Sequence, residues 1–108
     1  MVEKTIVGVR KALRQLLQQR KINVDKIVIF GSYAAGKEKK DSDIDIIIVS
    51  KNFRNKGIFE KVKITQGIHR ALVRQAKKPV DIMYYSDVEW KKGNSLIVNA
   101  AKIDGKLI

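Results

Sequence analysis

Phe30-Gly31-Ser32 and Asp43-Ile44-Asp45-Ile46 are the residues here whose types and spacing suit chemistry. Only ten residues, 33 to 42, separate them. Each group adjoins a short apolar run, Ile27-Val28-Ile29-Phe30 on one side and Ile46-Ile47-Ile48-Val49 on the other. Such runs, rich in Ile and Val and bounded by Gly or polar residues, read as buried strands. Alternation along a strand sends Asp43 and Asp45 to one side and Ile44 and Ile46 to the other. At about 3.3 Å per residue the two carboxylates stand roughly 7 Å apart along the strand. Two carboxylates aimed at one point repel, and one tends to take up a proton. A hard divalent cation such as Mg²⁺, shared with substrate phosphates, removes that conflict. Gly31, just past a strand, lets backbone N–H groups approach a phosphate without a Cβ in the way. Ser32 offers a hydroxyl, and can also cap a short helix over residues 33–35.

Two other readings compete for this stretch. Gly31 to Lys37 spells G-x-x-x-x-G-K, yet Glu38 stands where a P-loop needs Ser or Thr for its magnesium. The plainer alternative makes Gly31 and Asp43 turn residues and Asp45 a solvated strand position. A third acidic residue weighs against it. Asp81 interrupts the apolar and aromatic run from Val80 to Tyr85, where a carboxylate asks for a metal, a cation or solvent.

Phe-Gly-Ser, ten residues, then Asp-Ile-Asp-Ile resembles the signature of the DNA polymerase β-type nucleotidyltransferase superfamily. Gly31-Ser32-Tyr33-Ala34-Ala35-Gly36, followed by Asp41-Ser42-Asp43-Ile44-Asp45, is similar in particular to the minimal nucleotidyltransferases. Pro79-Val80-Asp81-Ile82-Met83 matches the later strand that carries the family's third carboxylate. The motifs cover residues 24 to 85. One position departs: many minimal members have Arg before the second Gly of the loop, and this chain has Ala35.

The resemblance implies an α/β (α+β) fold, a small mixed sheet flanked by helices with the two Asp-bearing strands adjacent. It implies transfer of a nucleoside monophosphate, AMP from ATP, to an acceptor hydroxyl. Asp43, Asp45 and Asp81 become the catalytic and metal-holding residues, with two Mg²⁺, and Gly31 and Ser32 the phosphate-binding ones. Asp41 is not counted among the ligands. Minimal nucleotidyltransferases are commonly paired with helical HEPN-domain proteins as antitoxin and toxin, and some attach AMP to a Tyr of the HEPN ribonuclease. A HEPN partner and an antitoxin role are therefore implied. Three alternatives stay open: an antitoxin that neutralises by binding alone, a small-molecule nucleotidyltransferase whose acceptor pocket forms by dimerisation, and a nucleic-acid-binding module.

The elements that must position these residues follow from periodicity. Ile6, Val9, Leu13, Leu16 and Leu17 make one apolar stripe, predicting a helix over 2–20. Strands are expected at 26–30, from the Asp pair to 49, and at 80–85. Residues 50–57 read as a polar, basic loop. A second long helix is expected over 58–77, with Ile64, Ile68, Ala71 and Leu72 inward and His69 on the surface, ended by Lys78-Pro79. Ser86 and Glu89 form a capping box for a short helix carrying Trp90. Asn94 or Ser95 caps a last helix with Leu96, Ile97, Ala100 and Ala101 inward; it ends at Asp104-Gly105, and an edge strand follows at 106–108. Simple alternation alone would argue for a parallel doubly wound sheet.

Composition sets the bounds. The 108 residues, 44% hydrophobic, suit one domain over 1–108. The N-terminus lacks an apolar leader, and no run approaches the ~18 apolar residues of a membrane span, so a cytoplasmic location without membrane attachment is expected. With no Cys there are no disulfides or thiolate metal sites, and one His excludes a multi-His site. Twenty-three basic against eleven acidic residues give +12, which favours phosphate-rich or acidic partners. Local basic clusters are Lys37-Lys39-Lys40, Lys51-Arg54-Lys56, Arg70-Arg74-Lys77-Lys78 and Lys91-Lys92.

Overall fold

The computed structural model describes residues 2–37, 39, 42–93 and 95–108, with the backbone alone at residues 2–4. The expectations concerning Glu38, Lys40, Asp41 and Asn94 lie outside the described residues.

Helix α1 (Val2–Gln19) leads into β1 (Lys26–Phe30), the four-residue helix α2 (Ser32–Ala35) and β2 (Ile44–Val49). Helices α3 (Ile58–Ile64) and α4 (Ile68–Ala76) precede β3 (Val80–Tyr85), and α5 (Asp87–Lys92), α6 (Leu96–Asp104) and β4 (Lys106–Leu107) complete the chain. The sheet order is β3-β2-β1-β4. β2 runs antiparallel to β1 and parallel to β3, and β4 is antiparallel to β1. The sheet is thus mixed, and the two strands that carry or follow the acidic residues are neighbours. The parallel β2–β3 pair needs a crossover, and α3 and α4 supply it.

Both faces of the sheet are covered, which explains why β2 reads as an unbroken Ile-Val run. Ile27, Ile29, Ile44, Ile46 and Ile48 face Val9, Leu13 and Leu17 of α1 and Ile68 and Leu72 of α4. Val28, Ile47 and Val49 face the other way, against Ala101 of α6, with Trp90 of α5 alongside. Each buried Ile or Leu contributes about 1.5–3 kcal/mol from removing its side chain from water.

The crossover departs from the expected single helix over 58–77. Thr65 ends α3, its hydroxyl donating to the Lys61 carbonyl at 2.7 Å. Gly67 then takes φ 89°, a left-handed conformation that suits glycine and restarts the helix on a new axis. The break turns the two helices differently. Ile68 and Leu72 of α4 are buried, while Ile58 and Phe59 of α3 are 78% and 89% exposed. Lys61 holds α3 down, donating to the Tyr84 carbonyl (2.9 Å) and to Glu89 Oε1 (3.0 Å).

Two other core assignments change. The 50–57 segment contains a 3₁₀ turn (Lys51–Phe53) that buries Phe53 completely, 5.3 Å from the Tyr84 ring. In α6 the inward residues are Val98 and Ala101, whereas Leu96, Ile97 and Ala100 are exposed. Ser95 caps this helix, accepting from the Ile97 and Val98 N–H groups. The Ser86–Glu89 capping box forms as the sequence indicates.

Candidate active site

β1 delivers Phe30 and Gly31 to one end of the sheet, and the paired strands bring three acidic residues to the same end. In the register, Phe30 lies opposite Asp45, and Asp45 lies beside Asp81. Residues level with one another on adjacent strands share a face, so Phe30, Asp45 and Asp81 form a row across β1, β2 and β3. Asp43 sits one residue before β2 and is exposed, like Asp81; Asp45 is half-buried.

Gly31 closes the row from the side. Its φ is 71°, and a Cβ placed there would overlap the Asp45 carboxylate. Two requirements, a left-handed backbone and contact with a carboxyl, therefore select glycine at this position. Gly31 also occupies the N-cap of α2, where no side-chain cap bond is made. Ser32 is accordingly the first residue of α2, and the expectation that it caps the helix is corrected. Its carbonyl accepts from the N–H groups of Gly36 and Lys37.

The electrostatics follow from this packing. Burial, then the charges of Asp81 and Asp43, and then a side-chain hydrogen bond with Asp81 raise the Asp45 pKa above the ordinary carboxylate value. Crowded carboxyls that hold on to a proton are relieved when a cation enters. The oxygen-only donor set suits Mg²⁺, which takes one or two carboxylates and completes its shell with phosphate and water. Among the described residues no three acidic or imidazole groups are gathered closely enough to form a ready-made metal cluster. The pair Asp45–Asp81 is the part already assembled, and Asp43 acts on it through its charge. The donor set therefore fits a cation shared with a polyphosphate better than one held by protein alone.

Two residues support the site in ways their sequence context did not signal. His69 is exposed, yet its Nε2–H donates to the Val80 carbonyl at 2.7 Å, tying α4 to β3 one residue from Asp81. Lys78, read from sequence as part of the helix stop and of a basic cluster, places its ammonium 5.7 Å from the centre of the Tyr33 ring. Neither contact follows from local pattern, since one joins α4 to β3 and the other joins the segment before β3 to α2.

A mixed sheet with Gly-Ser at the end of one strand and acidic residues level on the next two defines a nucleotidyltransferase-type domain. Residues 8–108 match the nucleotidyltransferase domain family, and the chain belongs to it. A presumed protein adenylyltransferase of Methanocaldococcus jannaschii is 45% identical over 47 residues, 42% of this chain. The matched stretch spans 55% of that relative's length. Among solved structures, a presumed nucleotidyltransferase from Sulfolobus solfataricus shares the fold with a TM-score of 0.62 at 23% identity, covering 98% of this chain and 83% of that one. A toxin–antitoxin structure with AMP-PNP gives a TM-score of 0.65 at 18% identity, covering 90% of this chain and 69% of that one. No helix among the described residues is long and apolar enough to cross a membrane.

Proposed function

We propose that this chain, acting as one minimal domain over 1–108, transfers AMP from ATP to a hydroxyl of a partner protein: the hydroxyl oxygen bonds to the α-phosphorus, and the bond from that phosphorus to the β-phosphate breaks, releasing pyrophosphate. The observation that carries the reading is the level placement of Asp45 beside Asp81, with Gly31 against the Asp45 carboxylate. Asp43 and Asp45 would hold one Mg²⁺, and Asp81 would share a second. When bound, the two ions supply charge neutralisation at the entering and leaving oxygens of an in-line displacement. Gly31 presents backbone and Ser32 its hydroxyl to the outer phosphates. Asp81 accepts the proton of the attacking hydroxyl. Because β3 is an edge strand beside β2, Asp81 is open to an acceptor arriving from that side.

The acceptor class rests on kinship. The relative named as a protein adenylyltransferase and the toxin–antitoxin neighbour support a protein acceptor. A Tyr of a HEPN-domain toxin, modified in the cytoplasm, is the acceptor we favour. The test incubates the chain and a purified HEPN-domain partner with ATP labelled at the α-phosphate. Label on a partner Tyr, lost with Asp43→Ala and Asp45→Asn, supports the reading; an unlabelled partner defeats it. A binding-only antitoxin is the second reading, favoured by Ala35 in place of the usual arginine. There Asp45→Asn would neutralise the toxin as well as the parent does.

A further inference from the structure

On the glycine side of the triphosphate site of this reading, the helix itself carries no positive charge, and the exposed Lys37 and Lys39 come only after Gly36. α2, which follows Gly31, is Ser-Tyr-Ala-Ala and contains no basic residue. A nucleoside triphosphate brought against Asp43, Asp45 and Asp81 needs cations beyond the metal, since the carboxylates cancel much of the metal's charge.

The segment between α4 and β3 supplies one. Pro79 accepts a hydrogen bond from the Ile44 N–H at 3.0 Å, so this segment is pinned beside the residue that separates Asp43 from Asp45. Lys78, immediately before it, reaches the other half of the site. Its ammonium lies over the ring of Tyr33, the residue after Ser32, within the distance of a cation–π contact. Tyr33 is buried and Lys78 half-buried, so the ring fixes the direction of the lysine stem. Lys78 thus joins the segment pinned beside Ile44 to the residue that follows Ser32. Lys77, its neighbour in sequence, is exposed in a left-handed conformation at the helix end.

We propose that Lys78 is a phosphate-binding residue, gripping the outer phosphates of the nucleoside triphosphate and supplying from the β3 side the charge that Ala35 does not. The inference rests on the nucleotidyltransferase reading above. Its test is calorimetric titration of the full chain with AMP-PNP and Mg²⁺, and separately with inorganic tripolyphosphate, which has no base or ribose.

Lys78→Met should weaken both ligands about tenfold or more, as loss of a charge-assisted contact does. Lys78→Arg should stay within about threefold of the parent. Lys37→Met removes the same charge from the exposed residue that follows Gly36 and should also stay within about threefold. Ala35→Arg added to Lys78→Met should restore most of the loss, which a lysine serving only to pack on Tyr33 would not permit. Lys78→Gln keeps most of the stem and replaces the Met variant if that one does not fold. Unchanged affinity in Lys78→Met, or equal losses in Lys78→Met and Lys37→Met, overturns the assignment. If the parent binds neither ligand, the nucleotidyltransferase reading fails and the assignment with it; binding by the parent with no response at Lys78 sinks this inference alone.

Discussion

The Cα of Gly31 lies directly against the carboxylate of Asp45, close enough that a Cβ at residue 31 would overlap it. The end of one strand and the acidic residue of the next are thus a single fitted contact. Gly31→Ala should destabilise the protein by about 1–3 kcal/mol, from left-handed strain and the overlap together. Part of that loss should vanish in an Asp45→Ala background, where the overlapped oxygen is absent. A double-mutant cycle by denaturant unfolding should give a coupling of about 0.5 kcal/mol or more; strict additivity would mean that the two residues do not meet.

Asp45 should make the metal-free protein less stable as pH rises. Its folded pKa lies above the ordinary value, so the folded state binds the proton more tightly than the unfolded chain. The stability this adds is full below the unfolded carboxylate pKa and is lost as pH rises through the folded one. Solvent screening at this half-exposed group keeps the effect below about 1 kcal/mol. Asp45→Asn should therefore raise the melting temperature at neutral pH by up to about 4 °C without metal. It should flatten the pH dependence across the carboxylate range. Thermal melts from pH 4 to 8 with a chelator present check both.

The crossover offers a contrast between two apolar stretches of similar composition. Leu72→Ala in α4 removes a fully buried side chain and should cost about 2–5 kcal/mol. Phe59→Ser in α3 alters a residue that is 89% exposed and should change stability by no more than about 0.5 kcal/mol. Urea unfolding of both variants reads the difference. Comparable losses would place α3 on the core.

Phe53 anchors the loop after β2. Its burial against Tyr84 predicts that Phe53→Ala costs about 3–5 kcal/mol, measured by the same unfolding assay. A loss under about 1 kcal/mol would show that the 3₁₀ turn is not seated.

Much of this was legible in the sequence where pattern and chemistry agree. The bounds of β1 and β3, the Ser86–Glu89 capping box and the adjacency of the two Asp-bearing strands follow from short apolar runs and the nucleotidyltransferase resemblance, whereas the level register of Asp45 and Asp81 does not. The mixed sheet needed the resemblance, because alternation of helices and strands points to a parallel one. What escaped depends on contacts between distant segments. The stripe Ile64, Ile68, Ala71, Leu72 continues smoothly through residues 65–67, and only the left-handed turn at Gly67 separates α3 from α4. Phe53 sits among Lys and Asn, so its local context reads as loop while Tyr84 buries it. In α6 the burial of Ala101 rather than Leu96 or Ile97 is set by where Val28 and Ile47 lie beneath the helix. His69 acquires its role from the meeting of α4 with β3, and Lys78 from the meeting of the segment between them with α2, which no window of sequence contains.

The central claim is that Asp45 and Asp81 form a crowded carboxyl pair made to receive a cation. The direct measurement is an NMR pH titration of the Asp45 side-chain carboxyl carbon, first with a chelator and then with Mg²⁺ and AMP-PNP. The account predicts a metal-free pKa above the ordinary carboxylate value that falls below it when both are added. An ordinary pKa that Mg²⁺ and nucleotide leave unmoved would contradict it.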